Sequence, residues 1–203
     1  MDIVIRELAK SDYNQARLYA IDGMNLDRYA EKDYELYFYS KYFIYLELLR
    51  ATQILGAYMD GKLVGVLLAE MRNENKKVKS LWYRIYIWFI KFTMNIFYKS
   101  SANIYEQVNN EMLSRYKSGN NPDGELIFFA VNPEIMGKGI GTLLLNELEK
   151  REKGKSIYLY TDSGCTYQFY DYKGFKREDE QNIIMNNHGK VINLTCFLYS
   201  KKL

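Results

Sequence analysis

The chain is poor in the residues that build metal centres and covalent frameworks. Its 203 residues include one histidine, His188, and two cysteines, Cys165 and Cys196. One histidine and two separated thiols offer no cluster with metal-ligand spacing, so no metal is expected. Two thiols in a chain of this length make no disulfide framework, and a reducing, cytoplasmic setting is the simpler expectation. An excess of charge is also missing: 28 basic against 25 acidic side chains leave a net charge of +3. That balance is too mild to argue for nucleic acid. The first residues, Met-Asp-Ile-Val-Ile-Arg-Glu, lack the basic region and long apolar run of a signal peptide. There is no internal repeat and no low-complexity tract. What remains is a chain 48% hydrophobic and 26% charged, long enough for one domain with a sizeable core. Tyrosine is abundant, at 20 residues, and suits both a core and an amphipathic cleft.

Periodicity and turn signals order the elements. Ile3-Val4-Ile5 reads as a first strand, and Ser11 as the cap of a helix reaching about Met24. Asp33 to Arg50 is a second helix. Gln53 to Met59 and Lys62 to Met71 are strands joined by Asp60-Gly61, a two-residue hairpin signal. Residues 72–118 form a helical insertion. Its basic head, Arg72 to Lys79, precedes an aromatic helix from Leu81 to Tyr98 and a further helix from Asn103 to Lys117. Arg84 and Lys91 interrupt the aromatic stretch, so it is not read as a membrane span. Leu126 to Val131 is continuously apolar, as in a strand buried on both faces. Gly139 to Lys153 is an amphipathic helix with Ile140, Leu143, Leu144 and Leu148 on one face. A strand over Ile157–Thr161, a short helix from Thr166 to Lys173 and two strands over 176–185 and 191–199 complete the chain. The order predicts a single α/β (α+β) domain over 1–203. Its sheet is mixed, mostly antiparallel and twisted, of about seven strands with flanking helices.

One segment carries the chemistry. Phe128-Phe129-Ala130-Val131-Asn132-Pro133 runs as a strand into Glu134-Ile135-Met136-Gly137-Lys138-Gly139-Ile140-Gly141-Thr142, where a helix starts. Glycines let a backbone approach a phosphate, and a helix N-terminus presents unpaired N–H groups and the positive end of the dipole. The spacing is neither that of a P-loop nor of a Rossmann fingerprint. A glycine-rich connection without ligand is the alternative for this loop taken alone.

A second match extends the first. The loop is similar to the coenzyme A loop of GNAT acetyltransferases, [RQ]-x-x-G-x-[GA], with Gly139 and Gly141 matching and Met136 standing where Arg or Gln is usual. Downstream, Tyr167-Gln168-Phe169-Tyr170-Asp171-Tyr172-Lys173-Gly174-Phe175 resembles the family's F-Y-x-x-x-G-F segment, in the expected order. The resemblance covers Gly124 to Phe175. It implies acetyl-CoA as cosubstrate and transfer to a primary amine of a small molecule or peptide. It implies pantetheine along Phe129, Ala130 and Val131, on a strand splayed from its neighbour. It places the pyrophosphate on the amides from Gly137 to Thr142 with Lys138. Ser163 and Phe169 are further expected cofactor contacts, and Tyr170 the general acid for the departing thiolate.

The general base is read among Glu125, Asp162, Glu134 and Glu70, with Glu125 taken as the candidate. Cys165 is read as a small buried hydrophobe rather than a nucleophile. The loss of a side-chain donor at Met136 keeps open a non-catalytic binder that senses acetyl-CoA. The acceptor pocket is expected from Tyr29, Tyr34, Tyr37, Phe38, Tyr42 and Tyr45 with Asp27, Glu31, Asp33 and Glu35, or else these form a core stripe with a solvated face. The insertion allows a lid, a homodimer contact or contact with an anionic membrane, and packing against the domain is the simplest use.

Overall fold

Ile3 and Ile5 turn toward the core and Val4 outward, and this first strand pairs with residues 55–59 to start the sheet. The computed structural model describes residues 2–30, 32–97, 102–135, 137–187 and 190–203, with the side chains of Tyr29, 94–97, 102, 103, 186, 187 and 190 left aside. The elements are β1 (Ile3–Glu7), α1 (Tyr13–Gly23), α2 (Asp33–Arg50), β2 (Gln53–Met59), β3 (Lys62–Met71), α3 (Leu81–Phe97) and α4 (Ala102–Lys117). They continue with β4 (Gly124–Val131), α5 (Ile140–Arg151), β5 (Ser156–Asp162), α6 (Gln168–Tyr172), β6 (Lys176–Asn187) and β7 (Lys190–Lys202). One sheet holds all seven strands in the order β1-β2-β3-β4-β5-β7-β6. Every pairing is antiparallel except β4 with β5. The mixed, mostly antiparallel α/β architecture expected from the sequence is the one observed.

Local chemistry explains the accurate boundaries. Asp60 and Gly61 both take positive φ, 51° and 77°, the conformation that a tight two-residue hairpin needs. The start of α1 departs from expectation. Lys10–Asp12 make a 3-10 turn, and Ser11 Oγ turns to Asp12 Oδ1 at 3.4 Å instead of capping the helix. In α5 the buried face is Ile140, Leu144, Leu145 and Leu148, while Leu143 is exposed. The 100° step per residue carries Leu143 past Ile140 to the solvent side and brings Leu145 in.

Two layers of helix cover the sheet. On one face α1 and α2 lie over Ile54, Val66, Leu68, Phe128 and Ala130. On the same face α4 covers the far half, packing Val108 and Met112 on Ile183, Leu194, Cys196 and Leu198. On the other face α5 packs on Leu55, Leu67, Leu126, Ile157 and Leu159. Residues 72–118 leave the end of β3 and return at the start of β4. Arg72 ties the two ends, its N–H donating to Asp123 O at 2.7 Å and its guanidinium to Asn121 Oδ1 and Pro122 O at 2.7 Å each. Within them α3 lies on α2, with Tyr83 stacked on Tyr45 at 4.0 Å and 8°. Among the described residues no helix is long and apolar enough to cross a membrane.

Candidate active site

The site begins with two strands that part. β4 and β5 pair only at Gly124 with Ile157 and Glu125 with Tyr158. β4 nevertheless runs on to Val131 and β5 to Asp162. A bulge against β3, where Leu68 faces Phe128 but Ala69 faces Leu126, leaves Ile127 unmatched and bends β4 at the start of the gap. The edge of β4 therefore has no ladder partner from β5 beyond Glu125. A cleft of about 480 Å³ fills the gap.

Its walls come from segments far apart in sequence. β4 contributes Leu126 to Val131, and β5 contributes Tyr160, Thr161 and Asp162. The end of α1 and the turn after it contribute Asp22 to Leu26, and α2 contributes Tyr39 and Phe43. Cys165, Phe169 and Tyr170 close one side, Tyr105 of α4 another, and Gly141 opens α5 into it. The structure thus brings together Phe129, Ala130, Val131, Gly141, Phe169 and Tyr170.

The loop from β4 to α5 meets the demands of an anion site. Asn132 Oδ1 accepts the Glu134 N–H at 3.0 Å and starts the turn. Gly137 and Gly139 take φ of 84° and 75°, which a side chain would strain, and a Cβ on either would meet open space. Gly139 caps α5, its carbonyl accepting the Leu143 N–H at 3.0 Å. Among the described residues the N–H groups of Gly137, Lys138, Gly139, Ile140, Gly141 and Thr142 have no backbone acceptor. Lys138 is exposed beside them. Amides without a backbone acceptor and a neighbouring lysine are groups that could hold a phosphate. Met136, Glu31 and His188 lie outside the described residues.

Tyr170 sits on α6, with its ring against Phe169, Phe175 and Tyr199 at centroid distances of 5.6, 5.5 and 5.8 Å. Burial pushes its phenol above the ordinary value, and the neighbouring Cys165 adds to this. Burial also lifts the Cys165 thiol to about 11, so it is no ready nucleophile. Asp162 is buried at the cleft wall. Its carboxylate accepts from Gly164 N–H at 2.7 Å and Tyr105 OH at 3.2 Å, and Arg28 lies 3.6 Å away. Asn25, at a positive φ of 49°, donates to Gly164 O at 3.1 Å and pins the turn after α1 across the gap.

Three expectations need correction. Glu125 does not reach the cleft. Its carboxylate, just past the closed end, accepts from Arg50 at 2.6 Å and Tyr158 OH at 3.1 Å. Ser163 lies outside the cleft as well: it is stitched to β7, its N–H donating to Thr195 O at 2.9 Å and its Oγ accepting from Thr195 N–H at 3.0 Å. Of the α2 aromatics named for an acceptor pocket, none lines the cleft. Tyr34, Tyr37 and Phe38 are exposed, Tyr45 stacks on Tyr83, and Tyr39 and Phe43 face the gap instead. The helix face, fixed by the core beneath, makes that selection. Asp22, Asn25 and Tyr105 carried no sequence signal, since turn and helix meet β5 only in the fold.

Comparison with known proteins decides the family. The model of the acetyltransferase (GNAT) family matches residues 16–175. The chain belongs to the GNAT acetyltransferase family. This GNAT chain shares its fold with solved structures of low identity. PaiA N-acetyltransferase from Thermoplasma acidophilum, in complex with coenzyme A, is 19% identical with full coverage of both chains and a TM-score of 0.56. A histone acetyltransferase HPA2-related protein from Corynebacterium glutamicum is 17% identical, with 97% and 96% of the chains covered and a TM-score of 0.58. Arabidopsis thaliana Naa50, in complex with the bisubstrate analogue CoA-Ac-MVNAL, is 17% identical over both whole chains with a TM-score of 0.51. No curated protein matches the sequence. As a GNAT acetyltransferase the chain is an acyltransferase.

Proposed function

We propose that the protein transfers an acetyl group from acetyl-CoA directly to a primary amine of a small molecule or peptide. The observation that carries this reading is the gap between β4 and β5, lined by Gly141 in the first turn of α5 and by Tyr170 at its side. Acetyl-CoA would supply an activated thioester carbonyl. The amides from Gly137 to Thr142 and the Lys138 ammonium hold its pyrophosphate by hydrogen bonds and charge. The free edge of β4 from Phe129 to Val131 binds the amide groups of pantetheine in the manner of an added strand. Amides near Val131 point charge-stabilising donors at the acyl oxygen, a contribution worth about 3–4 kcal/mol each in such sites.

The amine nitrogen attacks the acyl carbon, a C–N bond forms and the C–S bond breaks. Tyr170 gives its proton to the departing sulfur. Asp22 and the wall of Tyr39, Phe43, Tyr105 and Tyr160 suit an amphipathic amine cation. Asp162, held by Gly164 N–H and Tyr105 OH and paired with Arg28, takes up the amine proton through water. No covalent enzyme intermediate is needed.

Calorimetric titration with acetyl-CoA, followed by thiol release over an amine panel, tests the proposal. Binding with release on at least one amine is expected. Binding without release on any of a broad panel would assign the chain to acetyl-CoA sensing, the reading that Met136 at the usual Arg or Gln position favours. No binding would remove both.

A further inference from the structure

Helix α3 turns aromatic residues on both of its sides. Its inner side, with Tyr83, Ile87 and Ile90, is covered by the domain. Its outer side carries Leu81, Trp82, Ile85, Trp88, Phe89 and Phe92, between 49% and 74% exposed. At 100° per residue these six fall on one continuous arc, and from Leu81 to Phe92 the stripe runs about 16 Å. Trp88 and Phe92 stack on it at 5.8 Å and 13°. Isolated exposed apolar side chains are ordinary, but a contiguous stripe of large ones marks a contact surface.

Charge indicates what the contact is. Arg84 and Lys91 flank the arc on one side, both exposed. Exposed Lys77 and Lys79 lie just before the helix. None of these four has an ion-pair partner among the described residues. The sequence from 75 to 105 contains no Asp or Glu and six Lys or Arg. A second copy meeting this helix about a two-fold axis would set cations against cations. A negatively charged surface would meet them with complementary charge. An apolar face with tryptophans, edged by cations and too short and interrupted to span, is the chemistry of a helix lying in a lipid interface.

We propose that α3 docks the protein on an anionic lipid surface, with the Leu81–Phe92 stripe in the headgroup boundary and Arg84, Lys91, Lys77 and Lys79 on the acidic headgroups. The proposal stands apart from the transferase reading and is tested without acetyl-CoA. The chain has two tryptophans, Trp82 and Trp88, both on this face, so their emission reports on α3 alone.

Flotation and tryptophan emission are measured with vesicles of phosphatidylcholine and of equal parts phosphatidylcholine and phosphatidylserine. Binding and a blue shift with the anionic vesicles at low salt are expected, both reduced by added salt. Arg84→Gln with Lys91→Gln should weaken partitioning roughly 25-fold, two charges at about fivefold each. Ile85→Ser with Phe92→Ser keeps both tryptophans and changes exposed positions only. It should abolish binding with circular dichroism and thermal unfolding unaltered. Absence of binding to anionic vesicles at low salt overturns the proposal, as does undiminished binding by the Ile85/Phe92 variant. Concentration-dependent dimerisation without lipid binding, lost in that variant, would instead assign the stripe to a second copy.

Discussion

Replacing Tyr170 by phenylalanine removes one oxygen and leaves the ring. The packing against Phe169, Phe175 and Tyr199 is by ring faces and edges at 5.5 to 5.8 Å, and phenylalanine keeps it. Among the described residues the hydroxyl makes no hydrogen bond, so the change should alter stability by less than about 0.5 kcal/mol. A positioned general acid contributes about 10²–10⁴-fold, or roughly 2.7–5.5 kcal/mol of barrier. The variant should therefore lose that factor in kcat while its affinity for acetyl-CoA stays within about twofold. Burial raises the phenol's pKa, so the acid form persists beyond the ordinary tyrosine range and kcat should show no falling limb near pH 10 from this group. Thiol release under saturating acetyl-CoA and amine, with calorimetric binding and thermal unfolding alongside, measures each part. A variant turning over at the wild-type rate would refute the assignment. So would a loss of rate matched by a loss of binding.

Three further outcomes follow from the geometry. Gly139→Val forces a β-branched residue to φ 75°, at a cost of about 1–2 kcal/mol or more, and should raise the KM for acetyl-CoA with little effect on bound turnover; an unchanged KM would argue against the loop as the pyrophosphate site. Burial lifts Glu47 to about 8 against the pull of Arg50, so its protonated form favours folding; that contribution is complete below about 4.5 and is lost as pH rises through 8. Glu47→Gln, neutral throughout, should gain on the wild type by a few kcal/mol over this window, and parallel denaturation midpoints from pH 5 to 9 would contradict it. Leu144→Ala empties a site at 0% exposure under α5 and should cost about 2–5 kcal/mol by denaturant unfolding; a cost under about 1 kcal/mol would mean that α5 is loosely seated.

Turn chemistry and periodicity made much of the fold legible. The hairpin over β2 and β3 and the span of α2 came directly from Asp60-Gly61 and from the apolar repeat, because both are decided within a few residues. The cap of α1 did not, since Ser11 found Asp12 as an alternative partner in a 3-10 turn. The glycine turn before α5 and the short helix bearing Phe169 and Tyr170 were legible for the same local reason, and Gly141, Phe169 and Tyr170 line the cleft. Glu125 misled because the sequence places it on the correct strand but says nothing of Arg50, 75 residues away, which takes its carboxylate.

The chain by itself determined a buried strand, a glycine turn, an amphipathic helix and a tyrosine-bearing segment in that order, because each depends on the step of a helix, the alternation of a strand or the dihedral freedom of glycine. The tertiary structure alone decided that β4 and β5 part after Glu125, that Asn25 reaches Gly164 across the gap, and that Tyr39 and Phe43 rather than their neighbours face it. It also decided that α3 covers α2 with one side and leaves six large apolar residues on the other. These outcomes depend on contacts between segments far apart in sequence, where the partner, and not the residue's own neighbours, sets which way a side chain turns.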